Sequence, residues 1–123
     1  MAIINFIKLI RPLNLLIIIL LQSIIKIFLI DQFIFNSALS NLDFFLFVFS
    51  TVAITAAGYI INDIYDEKID KINKENSRII NKKIKSSSAI AFYIILNVSA
   101  FISICYVAWT IKNPILALFF YTL

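Results

Sequence analysis

Phe44 to Ile61 (FFLFVFSTVAITAAGYII) are eighteen consecutive residues without a charge. A helix of that length covers about 27 Å, close to the thickness of a bilayer's hydrocarbon core. Two further apolar runs accompany it, at residues 13–30 (LNLLIIILLQSIIKIFLI) and 89–111 (AIAFYIILNVSAFISICYVAWTI). A soluble domain averages about 45–50% apolar and about 25% charged residues. This chain has 62% and 15%, too much apolar surface for one small water-soluble core. The expected fold class is therefore all-α, a polytopic membrane helix bundle. A length of 123 residues leaves room for one domain and about four spans. The single cysteine, Cys105, excludes a disulfide scaffold.

The runs differ in what they carry. The first follows Lys8 and Arg11. It is too long for a signal h-region and has no small-residue cleavage site after it, so it reads as a retained span. Lys26 lies near its end, where the amine can snorkel outward. Asn14, Gln22 and Ser23 are polar positions that normally face other helices. The second run ends in small residues, Thr51, Ala53, Thr55, Ala56, Ala57 and Gly58, which let another helix approach closely. The third is preceded by Ser86, Ser87 and Ser88, candidate N-caps, and ends with Trp109, suited to an interfacial belt. Lys112, Asn113 and Pro114 then mark a turn. The nine residues 115–123 would cover only about 14 Å, part of a fourth span. The expected organisation is thus three complete spans and the start of a fourth, the N-terminal part of a larger bundle.

Charge sets the expected orientation. Lys and Arg total 11 against 7 Asp and Glu, a net +4. The 31–43 segment has no basic residue, whereas residues 62–88 hold seven. The positive-inside rule accordingly places the N-terminus and the 62–88 loop in the cytoplasm. The basic surplus needs no nucleic-acid partner. The chain contains no histidine, which excludes Ser-His-Asp and Cys-His catalysis and His-ligated zinc.

The remaining chemistry concentrates in Asn62–Asp70, NDIYDEKID. Asp63, Asp66 and Asp70 stand at i, i+3 and i+7, within about 60° of arc on one helix face. Three like charges so close repel one another. A hard divalent cation with oxygen ligands offsets that repulsion. Mg²⁺ fits because it takes few protein carboxylates and completes its shell with water and phosphate oxygens. The cluster begins where an apolar span ends. That position suits an amphiphile with its diphosphate on the metal and its hydrocarbon among the helices. Arg78, downstream, could meet phosphate oxygens by a bidentate contact. The blander alternative is a solvated loop of mixed charge.

Asn62, Asp63, Asp66 and Asp70 match NDxxDxxxD, and the chain here resembles the UbiA-type intramembrane prenyltransferase family. Arg11-Pro12-Leu13-Asn14 is similar to the RPxN opening of that family's first helix. Ser77-Arg78-Ile79-Ile80-Asn81 stands where the family has an Arg-Pro stretch, with Ile79 in place of the proline. The resemblance implies a nine-helix bundle in which Mg²⁺ and two aspartate motifs hold a polyprenyl diphosphate. Diphosphate departure leaves an allylic cation, which alkylates an aromatic acceptor or a glycerol-phosphate acceptor, the latter as in geranylgeranylglycerol-phosphate geranylgeranyltransferases. Carried onto this chain, Asp63, Asp66 and Asp70 are the metal-binding and catalytic candidates. Asn62, Arg78 and Asn14 are the substrate-binding candidates. The implied partners are a polyprenyl diphosphate, a prenyl acceptor and membrane lipid. The family's second aspartate motif has no counterpart here, since no Asp follows Asp70. A chain with half of the metal site is expected to be inactive alone.

Two other classes are distinguishable. CDP-alcohol phosphotransferases need Asp-Gly before Ala-Arg, but Ile64 follows Asp63 and Glu67 follows Asp66. A small non-enzymatic membrane protein, such as a transporter half or assembly subunit, would use the aspartates as an ion-pair surface.

Overall fold

The computed structural model describes residues 2–33, 39–73 and 84–112. The described backbone is almost wholly helical: α1 Ala2–Leu9, α2 Pro12–Ile25, α3 Asp31–Phe33, α4 Asn41–Asn73 and α5 Ser86–Thr110. A π turn, Lys26–Ile30, joins α2 to α3. The first apolar run therefore lies on helical backbone from Pro12 to Phe33. Pro12 opens it in the first turn, where the N–H it lacks would have no intrahelical partner.

Two helical stretches, Asn41–Asp66 and Ser86–Thr110, are long and apolar enough to cross a membrane, and Pro12–Phe28 is a shorter apolar helix. Only 33% and 22% of the apolar windows of the two long stretches are buried. The core helices of a soluble protein would be mostly covered. Here Ile94, Ile95, Val98, Phe101 and Ile102 on α5 instead point outward. Such a surface needs lipid or further helices around it.

α4 and α5 form the main helix pair. Ala53, Ala56, Ala57 and Ile60 are buried on α4, at i, i+3, i+4 and i+7. Ala100, Ser103, Ile104, Val107 and Ala108 repeat the pattern on α5. Small side chains on both stripes allow close approach, which favours association where lipid removes the hydrophobic drive. Gly58 is not part of the stripe. A Cβ there would meet nothing within 4 Å, so among the described residues the alanines, not the glycine, provide the close approach.

Cross-helix contacts give the directions. Asn14 reaches Tyr59, and Gln22 reaches Thr51. α2 and α4 are thus antiparallel. Leu9, Ile60, Ile84 and Ala89 form one buried cluster at one end of the pair, and Thr110 meets Asp43 at the other, so α4 and α5 are also antiparallel. α1 joins the first cluster: Phe6 sets its ring edge-on to Phe92, with centroids 5.1 Å apart.

The helix ends differ from expectation in three places. α4 starts at Asn41 because Ser40 and Asp43 make a reciprocal cap: Ser40 N and Oγ donate to Asp43 Oδ2, and Asp43 N donates to Ser40 Oγ at 3.1 Å. α4 also continues to Asn73, so the first part of the expected 62–88 loop is helix. At α5 the serines lie inside the helix rather than capping it. The N-cap is Lys85, which makes no side-chain cap bond. The turn expected after α5 covers Ile111 and Lys112, and Lys112 has φ 56°. Residues 115–123 lie outside the described residues.

Candidate functional site

The continuation of α4 past the apolar span decides the site's geometry. Asp63, Asp66 and Asp70 share one uninterrupted helix, so their backbone positions fall on a single face. Tyr59, one turn before Asp63, falls within the same arc and joins that face to the apolar span. Asp63 is partly buried, while Asn62 and Asp66 are exposed. Asp70 lies on the helix, but its side chain is outside the described residues, as is Arg78 altogether.

Asp63 is held from another helix. Arg11 donates from Nη2 to Asp63 Oδ1 at 3.2 Å, across 52 positions of sequence. The guanidinium also lies over the Tyr59 ring, 4.9 Å from its centroid, within cation–π range. Asn14 Nδ2 donates to the Tyr59 hydroxyl at 3.2 Å. Arg11 and Asn14, three residues apart, therefore grip Tyr59 and Asp63, four residues apart. The two local motifs of the sequence form one cluster.

Local backbone explains how Arg11 gets there. Its N–H donates to Lys8 O, ending α1, and its carbonyl accepts from Asn14 N at 3.0 Å, starting α2. One residue makes the bend, with φ 52° and ψ 66°. The left-handed region is costly for a residue bearing a Cβ. Pro12 disfavours the right-handed helical conformation at the preceding position. Leu9, fully buried against Ile60, anchors the bend from the other side.

The sequence alone picks out Asn14 and Asp63 separately, without Tyr59, which Asn14 and Arg11 both contact, and gives Arg11 no role at the site. The available signals were Arg11 in the RPxN-like opening and Tyr59 four residues before Asp63. Asn14, expected to bind substrate, donates to the Tyr59 hydroxyl.

The donor set suits a hard cation. Asp63 and Asp66 supply carboxylate oxygens one turn apart, with an amide at Asn62. No group of three acidic or sulfur ligands assembles among the described residues. One or two carboxylates with water and phosphate is nevertheless the ordinary arrangement for Mg²⁺.

A membrane helix bundle with an aspartate motif where an apolar helix ends defines the class, and comparison with known proteins specifies it. Residues 12–123 match the UbiA prenyltransferase family, and the chain belongs to that family. A stretch of 43 residues is 51% identical to digeranylgeranylglyceryl phosphate synthase of Sulfurisphaera tokodaii. That stretch is 35% of this chain and 16% of the relative. No solved structure matches.

Proposed function

We propose that this chain contributes the first aspartate motif of a Mg²⁺-dependent prenyl transfer from a polyprenyl diphosphate to an acceptor within the membrane. The observation that carries the reading is the Asp63–Asp66 face, continuous with the apolar α4 helix and bonded to the RPxN-like residues. Asp63, Asp66 and Asp70 would hold Mg²⁺, with Asn62 orienting a phosphate oxygen and Arg78 meeting the diphosphate. Bound there, Mg²⁺ supplies Lewis-acid stabilisation of the departing diphosphate. The C–O bond of the prenyl diphosphate breaks with its electron pair leaving on the diphosphate. An acceptor oxygen or ring carbon forms the new bond and releases a proton. The name of the Sulfurisphaera relative favours a glyceryl phosphate acceptor over an aromatic one.

Orientation belongs to the same reading. The excess of Lys and Arg in residues 62–88 puts the aspartate face in the cytoplasm. Cysteine labelling should reach position 71 from inside and position 36 from outside, in a background lacking Cys105.

The test is prenyl transfer by the full-length protein that carries this segment, with Mg²⁺ titrated and with EDTA. Asp66→Asn keeps the shape of the side chain and removes its charge. It should lower the rate roughly a thousandfold. A variant with the unaltered rate and the unaltered Mg²⁺ dependence would sink the metal reading. The non-enzymatic reading has one observation in its favour, the Arg11–Asp63 ion pair. It predicts no cation binding at this face.

A further inference from the structure

Arg11 neutralises Asp63 in a way that is easily exchanged. The pair rests on one N–H···O contact, and the Arg11 side chain is 51% exposed. Arginine has five N–H donors, so a guanidinium held by one of them can turn toward an anion without leaving the neighbourhood. The left-handed backbone and the Tyr59 ring keep the charge at this spot.

A fixed positive charge beside a carboxylate treats two forms of a cation oppositely. Bare Mg²⁺ approaching Asp63 must sit close to the guanidinium against Coulomb repulsion. A Mg²⁺–diphosphate complex stays anionic, because the diphosphate carries more charge than one divalent ion neutralises. The same guanidinium attracts that complex and offers it N–H donors. From this we infer that Arg11 is a charge filter: it disfavours the bare cation at Asp63 and favours the cation arriving as a diphosphate complex. The filter rests on the reading of Asp63 as a cation ligand. Its specificity comes from a repulsive element as much as from an attractive one.

The experiment measures Mn²⁺ binding by electron paramagnetic resonance, on the full chain in detergent, without turnover. Arg11→Gln should tighten binding of Mn²⁺ alone about tenfold at low salt, a difference that shrinks as salt screens it. Arg11→Lys keeps the charge and should bind Mn²⁺ as weakly as the unaltered chain. Methylenediphosphonate should tighten Mn²⁺ binding more in the unaltered chain than in Arg11→Gln. Should Arg11→Gln lose helix by circular dichroism, Arg11→Gly is the neutral variant, since glycine accepts the left-handed backbone. The filter is overturned if the neutral variant binds Mn²⁺ no more tightly while Asp63→Asn abolishes binding. It is overturned equally if Arg11→Lys tightens binding as much as the neutral variant does. If Asp63→Asn binds Mn²⁺ like the unaltered chain, the cation reading itself fails.

Discussion

The two ends of the α2–α4 pair use the same three kinds of group and hold them differently. At one end Arg11 lies over Tyr59 and pairs with Asp63; at the other Lys26 lies over Phe44, 5.5 Å from the centroid, and pairs with Asp31. The Lys26 amine donates to both Asp31 oxygens, at 3.0 and 2.8 Å, and the Lys26 side chain is only 12% exposed. The pair is local, five residues apart. It exists because the backbone between them is a π turn, in which Asp31 N donates to Lys26 O. In an ordinary α-helix, positions i and i+5 diverge by about 140°; the wider i→i+5 turn narrows that divergence. The Asp63 end has a more exposed cation, 51% against 12%, a less exposed carboxylate, 24% against 43%, and a partner 52 residues away in sequence. A carboxylate satisfied by its own turn is a fastening. One satisfied by a half-exposed arginine from another helix can be taken over by a ligand.

Substitutions at the two ends test that contrast. Asp66→Asn, beside the open pair, should lose about a thousandfold in prenyl transfer, whereas Asp31→Asn should stay within about threefold. Equal losses at both positions would erase the functional difference between the ends.

Unfolding in mixed micelles should rank the ends the other way. Asp43, near the closed end, accepts from Ser40 and, through Oδ1, from Thr110 Oγ1 at 2.8 Å, and is 5% exposed. Asp43→Asn should destabilise by about 1–2 kcal/mol, through the lost cap and the weakened inter-helix bond. Asp63→Asn should cost less, on the order of 0.5 kcal/mol, because its ion pair is half in solvent. A larger loss at Asp63 than at Asp43 would contradict the exchangeable reading.

Tyr59→Phe keeps the ring beneath Arg11 and removes the acceptor for Asn14. A loss of about 0.5–1 kcal/mol is expected in the same unfolding measurement. An unchanged stability would show that Asn14 finds another partner.

The smallest effect is expected between the ends, at Gln22. Its Nε2 donates to Thr51 Oγ1 at 3.1 Å, while its Oε1 is buried without a hydrogen-bond partner among the described residues. Thr51 donates to Phe47 O, so its oxygen is the acceptor for Gln22 and the amide orientation follows. Gln22→Leu loses one bond and one unsatisfied acceptor together. The two changes should cancel to within about 0.5 kcal/mol. A loss well above that would reveal a donor for Oε1.

Helical class, the apolar runs and the aspartate face were all legible before any coordinates. Each depends on spacing along one helix, and a 3.6-residue period is a local property. Chain ends and turns were less so. The serines at the start of α5 look like caps, and Gly58 looks like a contact point, yet the N-cap is Lys85 and Gly58 meets no neighbour. A side chain's role depends on which way its helix faces, and that rotation is set by the partner helix. Ala53, Ala57 and Ile60 turn toward α5, which leaves Gly58 facing open space.

By itself the sequence determined that the chain is helical, suited to lipid, and acidic on one face where an apolar run stops. Those facts come from composition and periodicity, which act within one segment. Tertiary structure alone decided that Arg11 stands against Asp63, that Asn14 and Tyr59 complete the cluster, and that the two ends of the α2–α4 pair differ in openness. An ion pair across 52 residues exists only once two antiparallel helices share a register. That register is chosen by the summed packing of Leu9, Ile60 and the alanine stripes, which no single segment contains.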